Sequence, residues 1–210
     1  MRKVIVGTVL QNKTISCPRI IVHMKIFFPI LIVTLLSACA GSQQVKHFES
    51  KGNLISTKPL TCVAATSVSS SSSAADITAG AKACASAGNY KQAAKLVMVA
   101  SAYAFYDTKR VADKSAHGAL NALFAKEFGP LPEKERNSLM ANIDALAKDT
   151  KTKAEICSFL ITSQPPTYMP NYMIAHGMGA FTGGSQEPLV KNFDSKLSWA
   201  KAMKFVKCSR

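Results

Sequence analysis

Between Leu96 and Tyr106 the chain reads LVMVASAYAFY, with no charge, proline or glycine. Placed on a helix inside the longer run NYKQAAKLVMVASAYAFYD, these residues are apolar nearly all round, so the helix has no face to give to water. It has to be surrounded. The rest of the chain must therefore supply enough helices to cover one central element. No segment sustains the alternation expected of a half-buried strand, and the reading is all-α, a small domain of five to six helices.

The flanking segments read as those helices. Asp76 is placed to cap a helix whose residues ITAGAKACASAG stop at Gly88. After the central helix, Thr108 to Phe128 carries Val111, Leu120, Leu123, Phe124 and Phe128 and stops at Gly129-Pro130. Pro132 opens the next helix at a first-turn position beside Glu133, with Leu139, Met140, Ile143 and Leu146 as its stripe. Thr152-x-x-Glu155 is a capping-box pattern for a short helix through Cys157 to Leu160. Asp194 caps a final basic helix carrying Leu197, Trp199, Ala200, Met203 and Val206.

Ala81, the Gly88-x-Tyr90-x-x-Ala93 turn and Ala100 resemble one tetratricopeptide-type hairpin. The resemblance implies two closely approached helices with the tyrosine packed between them. One period further on, Ala122, Phe124 and Glu127 do not repeat the signature. An array needs about three units to bury a continuous core, so a single hairpin within a helical domain is expected.

A second feature gives the chain an address. Ile26 to Ala38 (IFFPILIVTLLSA) is 13 residues long and uncharged, follows Lys25 and precedes Cys39. Roughly 20 apolar residues are needed to span a bilayer, so this run is too short, and Pro29 weakens it as a helix. A basic start, a short apolar core and small residues before a cut describe a secretory signal. Leu36-Ser37-Ala38-Cys39 further resembles the bacterial lipobox. That resemblance implies cleavage between Ala38 and Cys39 and lipid attachment at Cys39, through its sulfur and its new amino group. The thiolate is the nucleophile suited to such alkylation, and several acyl chains hold where one does not. The competing readings are a buried cysteine after a core helix and an ordinary signal cut elsewhere. Ala40 and Gly41, where the family's retention pattern has aspartate after the cysteine, favour the outer membrane, facing the periplasm or the cell surface. Residues 1–23 then read as a misassigned upstream start, 24–38 as the signal, 39–75 as the acylated N-terminus and a flexible serine-rich tether, and 76–210 as the helical domain. In the tether, five consecutive serines at 69–73 bury too little surface to order themselves.

An oxidising compartment changes the meaning of the remaining cysteines. Cys62, Cys84, Cys157 and Cys208 are an even set without Cys-x-x-Cys spacing, which argues for two disulfides over zinc or redox chemistry. Three connectivities are open. Cys62–Cys84 with Cys157–Cys208 closes the shorter loops and is the expected pairing. Loss of residues 1–38 removes Arg2, Lys3, Lys13, Arg19 and Lys25 and no acid, taking the net charge from +14 to +9. That excess suits an acidic partner such as an anionic lipid surface, lipopolysaccharide, peptidoglycan or an acidic protein. It equally suits simple solubility, because the lysines are scattered. Nucleic acid fits neither the compartment nor any recognition motif.

Motifs for hydrolytic, phosphate-binding and dinucleotide chemistry are absent from the sequence. Of the histidines, His47 falls in the tether, His117 in a helix and His176 in the Gly/Pro-rich stretch Gln164–Pro188. Convergence of His117 and His176 with Asp113 would supply a base and its orienter for an envelope hydrolase. That Gly/Pro-rich stretch reads as a long loop with at most a short helix around Tyr172–Ala175. Tyr168, Met169, Tyr172, Met173, Met178 and Phe181 within it offer either an adaptable binding lip, with His176 beside it, or a structural cover over the open end of the helices. The expected function is a membrane-anchored helical binding or scaffold module for a protein or envelope polymer, with an inhibitor as a special case. No catalytic residue is assigned, no metal, and no cofactor beyond the covalent lipid on Cys39.

Overall fold

The computed structural model describes residues 50–183 and 187–208. Cys39, the signal region, His47 and the first part of the expected tether lie outside the described residues. Six α-helices of ten or more residues and two of four residues are present among the described residues, with one isolated antiparallel bridge, Val111 to Leu189, and no strand. The fold is all-α.

The hairpin comes first. α1 (Ala74–Ser86) and α2 (Tyr90–Arg110) are joined by three residues, and α1 packs chiefly on α2. Gly88 turns with φ +76°, a conformation that costs glycine little, and the Asn89 side chain accepts from the Gln92 N–H to start α2. Ala81, Ala93 and Ala100 are all fully buried, as close approach of two helices requires. Along α2, Leu96, Val99, Ala102, Tyr103 and Ala104 are also fully buried, so the apolar run is the centre of the core.

The start of α1 corrects the sequence reading. Ser73, not Asp76, is the N-cap: Ser73 Oγ accepts from the Asp76 N–H at 3.1 Å, and Asp76 Oδ2 accepts from the Ser73 N–H at 2.9 Å. This reciprocal pair is a capping box. The other carboxylate oxygen of Asp76 accepts from Ser56 Oγ and from the Lys58 N–H, and its carbonyl accepts from the Leu60 N–H. The described part of the expected tether, residues 50–75, is consequently folded onto the helices. Leu54, Ala65 and Val68 are buried in the core. The serine run is held by Tyr103, whose hydroxyl donates to the Ser69 carbonyl, and by the Thr167 N–H, which donates to the Ser70 carbonyl. Serines that bury little surface themselves are fixed by donors from their neighbours.

Of three further differences, the broken helix and the start of α5 share one cause, local side-chain competition for backbone groups. The helix expected over Thr108–Phe128 is broken. α2 runs to Arg110, residues 111–112 pair with 188–190, and Asp113 caps a 3-10 turn over Lys114–Gly118 before α3 (Ala119–Phe128) begins. α4 (Glu133–Lys148) starts after Pro132 and buries Leu139, but Met140 points outward and is half exposed. α5 (Thr150–Thr162) is capped by Asp149, whose side chain accepts from the Thr152 N–H, so Thr152 is inside the helix that it was expected to cap. α8 (Ser195–Phe205) is capped by Asp194 as expected. Among the described residues no helix is long and apolar enough to cross a membrane.

Both disulfides join helices to distant chain. Cys62–Cys84 ties the N-terminal strap to α1, and Cys157–Cys208 ties α5 to the end of α8. Their sequence separations of 22 and 51 correspond to about 3 and about 4 kcal/mol by the chain-entropy estimate. Replacing Cys62 and Cys84 together by serine should therefore lower the urea unfolding free energy by about 3 kcal/mol. A loss under about 1 kcal/mol would mean that the packing and hydrogen bonds of the strap hold it without the disulfide.

Candidate functional site

The loop after α5 turns inward. Tyr168 Oη donates to Asp107 Oδ2 at 2.6 Å and Tyr172 Oη donates to the same oxygen at 2.8 Å. Arg110 Nε donates to Asp107 Oδ1 at 2.8 Å, and Arg110 Nη2 lies 2.7 Å from that oxygen in an ion pair without an aligned hydrogen bond. The Arg110 guanidinium also lies over the rings of Tyr168 and Tyr106, 4.7 and 5.0 Å from their centroids. Asp107 is fully buried. Burial raises its pKa above the ordinary carboxylate value, against the opposing pull of Arg110 and the two hydroxyls. Burial disfavours the Arg110 cation, but Asp107, together with Tyr168 and Tyr106, outweighs it, so its pKa is raised.

Tyr172 and Met173 are buried, on the short α6 (Asn171–Ile174), and the hydroxyl of Tyr168 is spent on Asp107 and the Ala74 N–H. These three side chains face the core and do not form an exposed binding lip. For the two tyrosines the residue types gave no sign of this, because the partner that draws them in, Asp107, stands 61 to 65 residues away in sequence. Met169, Met178 and Phe181 do remain exposed.

The histidines are separately committed. His117 Nε2 lies 3.0 Å from the Val111 carbonyl, which can only accept, so that nitrogen carries hydrogen. His176 Nδ1 meets Asn53 Oδ1 at 2.9 Å. Asp113 does not orient either ring. Its Oδ1 accepts from the backbone and hydroxyl of Ser115, and its Oδ2 accepts from the Gly179 N–H at the start of α7 (Gly179–Thr182). The Ser115 hydroxyl and the Gly179 amide hold the Asp113 carboxyl below the usual carboxylate range. A Cβ on Gly177 would run into this carboxylate, which explains the glycine. Asp113 thus fixes the loop, and among the described residues it makes no hydrogen bond to either histidine.

A different surface has the shape of a site. Between α4 and α8, with α2 as floor, a groove encloses about 260 Å³. Ala94, Val97, Met98 and Ser101 form the floor, Ile143, Leu146 and Ala147 one wall, and Phe205 and Val206 the other. Phe205 is half exposed and stacks on Phe105 at 4.3 Å. Lys153 and Lys207 stand on the margin. A smaller hollow adjoins it through Leu146 and carries Lys91 and Lys95 with Asp149. The sequence analysis missed this groove. The signal lay in α2 itself, where Ala94, Val97, Met98 and Ser101 recur at helical spacing on a face that its neighbours leave partly uncovered.

No protein-family model, curated protein or solved structure matches the chain.

The tyrosine cluster makes stability sensitive to alkali. Burial pushes the Tyr103 hydroxyl up to about 12 and holds Tyr168 and Tyr172 well above 10, the latter two with the Asp107 charge adding to the effect. Unfolded tyrosine ionises near 10. The folded values are raised, so the stability carried by these neutral phenols is complete below pH ~10 and is lost as pH rises through the folded values. Phenolate absorbance from these three should develop together with loss of the helical circular dichroism signal. Ionisation of all five tyrosines near pH ~10 with the fold intact would contradict the cluster.

Proposed function

We propose that this chain is a lipid-anchored bacterial envelope protein whose helical domain binds a partner through the α2/α4/α8 groove and does not turn over a substrate. The observation that carries the reading is the groove, an apolar floor and two apolar walls edged by lysines. Support for the anchor is the Leu36–Cys39 tetrad behind a 13-residue apolar run. In this reading Cys39 carries the lipid, the outer membrane is its site, and the domain faces the periplasm or the cell surface.

The chemistry of the groove favours a partner that offers both apolar surface and negative charge. A protein, lipopolysaccharide or another envelope polymer with those features fits; a neutral polysaccharide does not. An inhibitor-type role belongs to the same reading if the partner is an enzyme. The commitment of His117, His176 and Asp113 to carbonyl, amide and backbone partners supports a binding module over a hydrolase.

Two measurements in intact cells test the halves separately. Cys39→Ser should move the protein from the detergent phase to the aqueous phase, and unchanged partitioning would remove the anchor. A photo-crosslinking residue in place of Ile143 should give an adduct, and the same residue in place of Met178, on the far loop, should not. Adducts from position 178 alone would move the binding face away from the groove.

A further inference from the structure

The groove is more specific than a generic apolar face. Its two charged margin residues are held together by covalent structure. Lys153 lies one helical turn before Cys157 on α5, and Lys207 is the neighbour of Cys208. The disulfide between these cysteines brings their Cα atoms to 5.0 Å, so the backbone positions of both lysines are tied together where they line the groove. Among the described residues neither lysine forms an ion pair. The acid nearest in the lining, Asp149, belongs to the adjoining hollow, where its carboxylate accepts from Thr152 at the cap of α5 and Lys95 faces it. The margin is thus positive and unneutralised, and the floor beyond it is apolar.

The dimensions suit one narrow chain. From Ala94 to Ser101 the floor extends about 10 Å along α2, at 1.5 Å per residue. A volume of about 260 Å³ holds on the order of eight water-sized groups at ~30 Å³ each. A folded protein surface would insert at most one side chain here, whereas an alkyl chain of medium length would lie along the floor. Each methylene buried there would contribute ~0.8 kcal/mol.

Resting on the reading of this groove as the binding face, we infer that its ligand is a single alkyl chain ending in an anionic head group. The chain lies on Val97, Met98 and Ser101 between Ile143 and Phe205, and the head is held by Lys153 and Lys207. The chain supplies affinity through burial, and the paired lysines select the sign of the head.

The probe is dodecanoate, titrated below its micelle-forming concentration into the full chain carrying Cys39→Ser with both disulfides formed. Dodecyltrimethylammonium serves as the cationic counterpart. Dodecanoate should bind saturably and at least ten-fold more tightly than the cation. Ser101→Trp, which fills the floor, should abolish its binding. Lys153→Glu with Lys207→Glu, on the groove margin, should reverse the preference between the two head groups without lowering the thermal midpoint. Equal affinity for both head groups, an unreversed preference in the double variant, or no saturable binding would overturn the inference. So would a dimer in sedimentation that Ser101→Trp dissociates, because a second copy would then be the occupant. If dodecanoate fails while position 143 still crosslinks a protein in cells, the ligand class falls and the groove stands. If both fail, both readings fall.

Discussion

One buried carboxylate holds the two halves of this domain together. Asp107 sits on the last turn of the central helix and accepts from Arg110 beside it and from Tyr168 and Tyr172 on a loop some 60 residues later. A buried charge of this kind is tolerated only when it is paired and its lone pairs are satisfied. The requirement works in both directions. The carboxylate cannot stay buried without the loop, and the loop, which contributes only two four-residue helices, gains in Asp107 a buried anchor beside those it finds at Asp113, Asn53 and Ser70. Tyr168 also reaches the Ala74 N–H at the first turn of α1, and Thr167 next to it holds the serine run. The N-terminal strap, the hairpin and the loop therefore meet around one oxygen pair.

The open groove lies along an earlier stretch of α2, from Ala94 to Ser101. α4 and α8 approach it from either side without meeting, and the disulfide from α5 to Cys208 fixes where α8 ends. The end of α8 is where Phe205, Val206 and Lys207 turn toward the groove, Lys207 with φ +59°, a left-handed conformation that an ordinary residue adopts only at some cost. A bond that stabilises the domain thus also shapes its most distinctive surface. In the proposed function, this surface and the anchor at Cys39 give the protein a binding role at the membrane.

The parts of the fold that the sequence made legible are those decided by local pattern. The uncharged run from Leu96 to Tyr106 announced a buried central helix, Gly88 and Gly129-Pro130 announced stops, Asp194 announced a start, and spacing within an even set of cysteines suggested the observed pairing. The misreadings occurred where a side chain chose between backbone groups. Asp76 sits three residues inside the cap that it was expected to be, Asp113 interrupts a helix whose apolar spacing looked continuous, and Asp149 takes the cap assigned to Thr152. At the loop the sequence left two readings open, a binding lip and a structural cover, and the burial of Tyr172 and Met173 fits the cover. Tyr172 and Met173 have the composition of a binding surface, and a contact to a carboxylate 65 residues away turns the tyrosine inward. The groove is assembled from several helices, and the spacing in α2 that marks its floor says nothing of which segments supply its walls.

The central claim is that Asp107 latches the loop onto the helical body. Asp107→Asn keeps the shape and removes the charge, leaving the Arg110 cation buried without its counter-ion. Urea unfolding combined with hydrogen exchange tests this most directly. The account predicts a loss of about 3–5 kcal/mol, the range for breaking a buried ion pair by removing one partner, with amide protection lost first around Tyr172 and in the serine run. Full stability, with unchanged protection across residues 167–175, would show that the loop is held by other means and would contradict the account.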